Sequence, residues 1–244
     1  MFLATLTTGV LVGCGARAGG SDSTVADAGG APKSTRRTDS TRRADRPVVL
    51  FVGTSLTAGL GLEPDSAYPM LIQRKIDSAG LPFDAVNAGV SGETSSGLLD
   101  RLDWLLRGNF RVMVLETGAN DGLRGIPTAT LKSNLETILD RVAAKRPDAR
   151  VLLVQMEALP NLGPAYAKAF HAVYPTVAKE KHVMLLPFLL ADVAGHRELN
   201  QADGVHPNYT GERIVADHVW NEIRPVLDSV AHGLGSSPSL TRAR

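Results

Sequence analysis

Short apolar runs recur along the chain at Val48–Val52, Val112–Leu115, Val151–Val154 and Val183–Leu186. Each is continuous and aliphatic or β-branched rather than alternating. That pattern suits parallel strands covered on both faces. A weaker run, Phe83–Val86, ends just before Asn87. The intervening segments change to helical spacing. Pro69, Leu71, Ile72 and Ile76 lead to Gly80, and Leu98, Leu99, Leu102, Leu105 and Leu106 stop at Gly108. Leu131, Leu135, Ile138, Leu139 and Val142 repeat the spacing, as do Phe170, Val173 and Val177. A last helix is predicted over roughly 209–230, with Ile214, Val215, Val219, Ile223 and Leu227 on one face. Proline near a start and glycine after an end punctuate these helices in the expected sense. This alternation predicts a three-layer α/β/α sandwich with a mostly parallel five-stranded sheet. Ligands of such folds sit beyond the carboxyl ends of the strands. Gly53–Gly59, Asn87–Thr94 and Glu116–Gly122 are placed at that edge, and Asp203–Asn208 in the loop before the last helix.

The ends read differently from the middle. Residues 15–46 are dominated by Gly, Ala, Ser, Thr, Asp and Arg, which cannot bury enough apolar surface to offset chain ordering. Residues 233–244 read as a frayed tail. One domain over 47–232 remains, long enough for a substantial core. The overall net charge of +1 hides seven basic and four acidic residues within 1–46. A solvated tether explains that excess better than a headgroup-binding patch. Nothing in the folded portion resembles a nucleic-acid footprint, and with no strong exposed stripe a monomer is expected. Cys14 is the only cysteine, so an intrachain disulfide is excluded. It follows an apolar stretch, residues 2–12, too short to span a bilayer but suited to a signal-peptide core. Residues 1–14 resemble a bacterial lipoprotein signal, which implies a lipidated Cys14, a membrane tether and a cell-envelope location, periplasmic or outer-surface. No Lys or Arg precedes the apolar stretch, a departure from such signals.

Candidate chemistry concentrates in the loops at the carboxyl edge. Ser55 follows Gly53, just past the first apolar run. Alone it reads as an ordinary helix N-cap. Asp203 and His206 lie three residues apart in a glycine- and proline-framed loop. The carboxylate can accept from one imidazole nitrogen while the other faces a serine, as a serine base requires. Alone this pair also fits a capping Asp and a surface His. Asp192 and His196 form a weaker pair four apart, while His171, His182, His218 and His232 lack a comparable loop. Acyl transfer also needs donors aimed at the tetrahedral oxyanion, each worth roughly 3–4 kcal/mol. Gly89–Thr94 and Gly118–Gly122 offer glycine amides and the Asn120 side chain, or simply two Gly-rich turns with Asn120 left-handed.

Taken together, these blocks resemble an SGNH (GDSL-type) hydrolase over roughly 48–230, nearest the bacterial arylesterase, thioesterase and lysophospholipase branch. The blocks are Gly53-Thr54-Ser55-Leu56, Ser91-Gly92-Glu93-Thr94, Gly118-Ala119-Asn120-Asp121 and Asp203-Gly204-Val205-His206. The resemblance implies that Ser55 is the nucleophile, His206 its base and Asp203 the orienting acid. It further implies an oxyanion hole of Ser55 N–H, Gly92 N–H and the Asn120 amide, and a small-molecule or lipid ester substrate. Thr54 stands where the family usually has Asp, and Ala119 where Gly is common, so local hydrogen bonding is expected to differ. An α/β-hydrolase is disfavoured because Gly53-Thr54-Ser55-Leu56-Thr57 lacks the second glycine of G-x-S-x-G. A phosphate loop fails for want of a lysine in Gly53–Gly59. No cofactor is expected, and no cluster has metal-ligand spacing. Leu123, Ile126, Leu159, Leu162 and Tyr166 are candidates to line an apolar acyl groove. The alternatives to an esterase of aryl or acyl esters are a polysaccharide O-deacetylase and a non-catalytic envelope binding module on the same scaffold.

Overall fold

The computed structural model describes residues 46–235. The signal-like segment with Cys14, the linker up to residue 45 and the tail from 236 lie outside the described residues. Five strands form one fully parallel sheet: β1 (Val48–Gly53), β2 (Asp84–Gly89), β3 (Phe110–Leu115), β4 (Arg150–Gln155) and β5 (Met184–Phe188). Their order is β2-β1-β3-β4-β5. Seven α-helices accompany them: α1 (Ser55–Ala58), α2 (Tyr68–Ser78), α3 (Ser95–Leu105), α4 (Ala119–Leu123), α5 (Thr128–Lys145), α6 (Pro164–Glu180) and α7 (Tyr209–Gly235).

The chain steps from β1 to β2 in one direction and from β2 through β3 to β5 in the other. Right-handed crossovers therefore put α2 on one face of the sheet and α3, α5 and α6 on the other. The contacts agree, since α2 packs on α7 while α5 packs on both α3 and α6. The layers explain which strands carry long apolar runs. β1, β3 and β4 are sandwiched, with Val49, Phe51, Val52, Val112, Met113, Val114, Leu115 and Leu153 fully buried. β2 and β5 are the edges, and Val86 and Met184 stay exposed there. That is why Phe83–Val86 gave the weakest strand signal. β2 also runs on through Asn87, Ala88 and Gly89, residues that the sequence pattern placed in the following loop.

Both predicted domain borders move slightly. Arg46, assigned to the linker, is anchored by ion pairs to Asp77 (3.2 Å) and Asp84 (3.1 Å) and by the Leu81 carbonyl. Residues 233–235, assigned to the tail, continue α7. The direction of the connections reverses between β1 and β3, which opens a crevice at the carboxyl edge. The segments after these two strands carry Ser55 and Asn120.

Candidate active site

Ser55 opens α1 instead of capping it. Thr54 holds the N-cap position in extended conformation, with no side-chain cap bond to the helix. Its N–H donates instead to Glu116 Oε2 (2.6 Å), and its hydroxyl lies 3.0 Å from both Glu116 oxygens. Ser55 Oγ is left to face His206, whose Nε2 lies 2.8 Å away. On the far side of the ring, Nδ1 is 2.7 Å from Asp203 Oδ2. The other carboxylate oxygen accepts the backbone N–H groups of Val205 (2.9 Å) and His206 (3.0 Å). Those amides, and then the imidazole, hold the Asp203 carboxyl down at about 2. An ionised Asp203 accepts only, so Nδ1 carries the ring proton and Nε2 is the acceptor for the serine hydroxyl. Gly204 (φ 71°) makes the turn short enough for this.

The candidate oxyanion donors are Ser55 itself, Gly92 in the segment after β2 and Asn120 in the segment after β3. The Ser55 and Gly92 amides have no protein acceptor among the described residues. Asn120 spends one amide hydrogen on the Glu93 carbonyl (2.9 Å), leaving the second. Asn120 sits inside α4, and the left-handed residue is Gly118 (φ 102°), so the Gly118–Gly122 segment is a helical turn rather than a loop. A Cβ on Gly118 would collide with the Tyr174 hydroxyl, which itself donates to the Thr117 carbonyl (2.8 Å).

The loop bearing Gly92 is tightly held. Glu93 forms a bidentate pair with Arg101 (2.5 and 2.7 Å), and Arg101 also reaches the Ala88 carbonyl. Arg124 donates to the Gly92 carbonyl (3.0 Å). The buried Asp121 takes the N–H (2.8 Å) and hydroxyl (2.5 Å) of Ser95, the residue just after the second sequence block. Sequence reasoning missed these supporting residues, and it missed Glu116. Glu116 directly follows the apolar run Val112–Leu115 and is fully buried, but its partners Thr54 and Thr57 lie far along the chain. Burial pushes its carboxyl up, partly offset by the Thr54 N–H and the Thr57 and Thr54 hydroxyls. The Thr54 departure thus supplies one more donor to that acid. Ala119 takes the first position of α4 with no polar consequence.

Of the predicted acyl-lining residues, two pairs of neighbouring segments are linked. Leu123, Leu159 and Leu162 are exposed. Tyr166 donates its hydroxyl to the Ile126 carbonyl (2.7 Å), and Leu162 lies about where a Cβ on Gly125 would touch it, at 3.5 Å. Asp192 pairs with His218 (3.6 Å) and His196 with Glu198 (3.5 Å), so the weaker Asp/His pair does not form.

Residues 51–214 match the model of the GDSL-like Lipase/Acylhydrolase family. The chain is 38% identical to esterase TesA of Pseudomonas aeruginosa over 188 residues, 77% of this chain and 92% of that protein. It is 37% identical to thioesterase 1/protease 1/lysophospholipase L1 of Escherichia coli, over 77% of this chain and 88% of that protein. The crystal structure of the psychrotrophic esterase EstA from Pseudoalteromonas sp., inhibited by monoethylphosphonate, superposes with a TM-score of 0.71. That match covers 74% of this chain and 98% of EstA at 33% identity. Fold, site geometry and sequence similarity agree that this chain belongs to the GDSL-like lipase/acylhydrolase family.

Proposed function

We propose that this protein is a serine carboxylic-ester hydrolase in which Ser55 is the nucleophile, His206 the general base and Asp203 its orienting acid. The continuous chain Ser55 Oγ, His206 Nε2, His206 Nδ1, Asp203 Oδ2, with links of 2.8 and 2.7 Å, carries the reading. His206 Nε2 takes the Ser55 proton as Oγ attacks the ester carbonyl carbon. The resulting oxyanion is held by the Ser55 and Gly92 amides and the second Asn120 hydrogen. Collapse expels the alcohol, protonated by His206, and leaves an acyl-enzyme. His206 then activates water, which releases the carboxylic acid and restores the serine. Throughout, Asp203 keeps the ring in one tautomer and stabilises the imidazolium.

The named relatives support carboxylic esters, thioesters and lysophospholipids as the substrate range, and the exposed Leu123, Leu159 and Leu162 suit apolar acyl chains. The signal-like segment supports a cell-envelope tether through Cys14, which radiolabelled palmitate incorporation into wild type but not Cys14→Ser would test. For the chemistry, the test is p-nitrophenyl butyrate hydrolysis by Ser55→Ala alongside fluorophosphonate labelling of the wild type. Loss of turnover by about 10³-fold or more, with unchanged circular dichroism and labelling at Ser55, is expected. Turnover retained by the alanine variant would overturn the assignment.

A further inference from the structure

Beneath the site runs a buried hydrogen-bond chain that the triad does not require. Tyr68, the first residue of α2, is fully buried and joins its two ends. Its backbone N–H donates to Glu212 Oε2 (2.7 Å), on the α7 segment six residues beyond His206. Its hydroxyl lies 3.1 Å from Thr57 Oγ1, and Thr57 donates to Glu116 Oε2 (3.0 Å). A hydroxyl has one proton, so Thr57, having given its own to Glu116, receives the Tyr68 proton. Glu116 Oε2 in turn accepts the N–H of Thr54, the residue before Ser55. The path from the helix behind His206 to the turn carrying Ser55 is therefore unbroken. Burial pushes the Tyr68 phenol far above its ordinary value, so it remains a donor wherever the enzyme works.

We propose that Tyr68 is a positioning residue for ester hydrolysis, its hydroxyl fixing the Ser55 turn against the helix that follows His206. This rests on the assignment of Ser55 as nucleophile. The backbone at this place has no slack. A Cβ on Gly53 would overlap Thr57 Oγ1 and stand 2.5 Å from Glu116 Oε2, so strand end, Thr57 and Glu116 are packed to the limit. The Tyr68 ring packs edge-on against Phe51, with centroids 5.8 Å apart, and that contact survives removal of the hydroxyl alone. Packing and positioning are thus separable by one atom.

The experiment compares wild type, Tyr68→Phe, Thr57→Val, Thr57→Ser and the Tyr68→Phe/Thr57→Val double variant. The readouts are kcat and KM for p-nitrophenyl butyrate and the second-order rate of fluorophosphonate labelling. Tyr68→Phe and Thr57→Val should each lower kcat and the labelling rate about tenfold, with KM changed less than about twofold. Thr57→Ser should retain both rates. The double variant should be no worse than the poorer single one, because each breaks the same chain. Rates within about twofold of wild type in both single variants, an effect on KM alone, or fully additive losses would overturn the proposal. Should Tyr68→Phe not fold, the contrast between Thr57→Val and Thr57→Ser decides alone. Ser55→Ala, run in parallel, separates the two levels. If it keeps turnover the nucleophile assignment falls, whereas a dead Ser55→Ala beside a wild-type-like Tyr68→Phe sinks only the positioning role.

Discussion

Glu212 sits in the first turn of α7, 1% exposed, where it accepts the Tyr68 N–H at 2.7 Å and has no ion-pair partner among the described residues. It thereby caps the start of α2, where Ala67 has no side chain to do so. Burial pushes its carboxyl up to about 8 from an ordinary 4.5, with the Tyr68 N–H offsetting part of the rise. The folded protein therefore holds a proton that the unfolded chain releases near its ordinary value. Stability must fall as pH rises from about 4.5 through about 8, then level off. At about 1.4 kcal/mol for each tenfold change in the proton equilibrium, the loss amounts to about 4–5 kcal/mol. A domain of this size loses roughly 2–4 °C of Tm per kcal/mol, so about 8–20 °C separates the two ends of the window. Glu212→Gln keeps a carbonyl oxygen for the Tyr68 amide but cannot ionise. Thermal melts of both proteins at constant ionic strength should nearly coincide at pH 4.5. At pH 8.5 the variant should melt about 8–20 °C higher. Taking the difference between the proteins removes every other titrating group, Glu116 included. A difference that stays flat across the window would show that the folded protein does not hold that proton, and the reasoning from burial would fail.

Other outcomes follow from the site. Asn120→Ala should lower kcat for p-nitrophenyl butyrate by about 10²-fold with little change in KM, since the donor acts on the oxyanion. Asp203→Asn should cost about 10²–10⁴-fold in kcat, measured in the same assay. With its carboxyl held at about 2, Asp203 contributes to stability above its ordinary range and loses that contribution only as pH falls through about 2, which acid unfolding of the asparagine variant would reveal. Leu135→Ala, which truncates a fully buried side chain of α5, should lower unfolding free energy by about 2–5 kcal/mol in urea titration.

What the sequence disclosed follows from how local each signal is. β1, β3 and β4 are covered on both faces, so Val48–Val52, Val112–Leu115 and Val151–Val154 within them are continuous apolar runs and easily found. β2 is an edge strand ending Asn87-Ala88-Gly89, and nothing in those residues separates strand from loop. It continues because Asn87 Nδ2 bonds the Thr57 carbonyl and Gly89 lies against Ala58, contacts made across the fold. Asp203 and His206 were legible because both partners lie within one turn. Glu116, Tyr68 and Glu212 were not, because the partners that give them meaning lie 62, 11 and 144 residues away. The end of α7 ran past its predicted limit because Pro225 and the small residues beyond it weaken the helical pattern without ending the helix.

The acid and base of this site form a self-contained unit. Asp203 grips His206 through the backbone of the very turn that links them, whereas the serine arrives from 151 residues away. The two halves therefore depend on different scales of order. A loosened domain keeps its imidazole correctly aimed yet loses the hydroxyl it should deprotonate. Inactivation under mild denaturation would then be a separation of intact parts, reversed as soon as the sheet and helices close again.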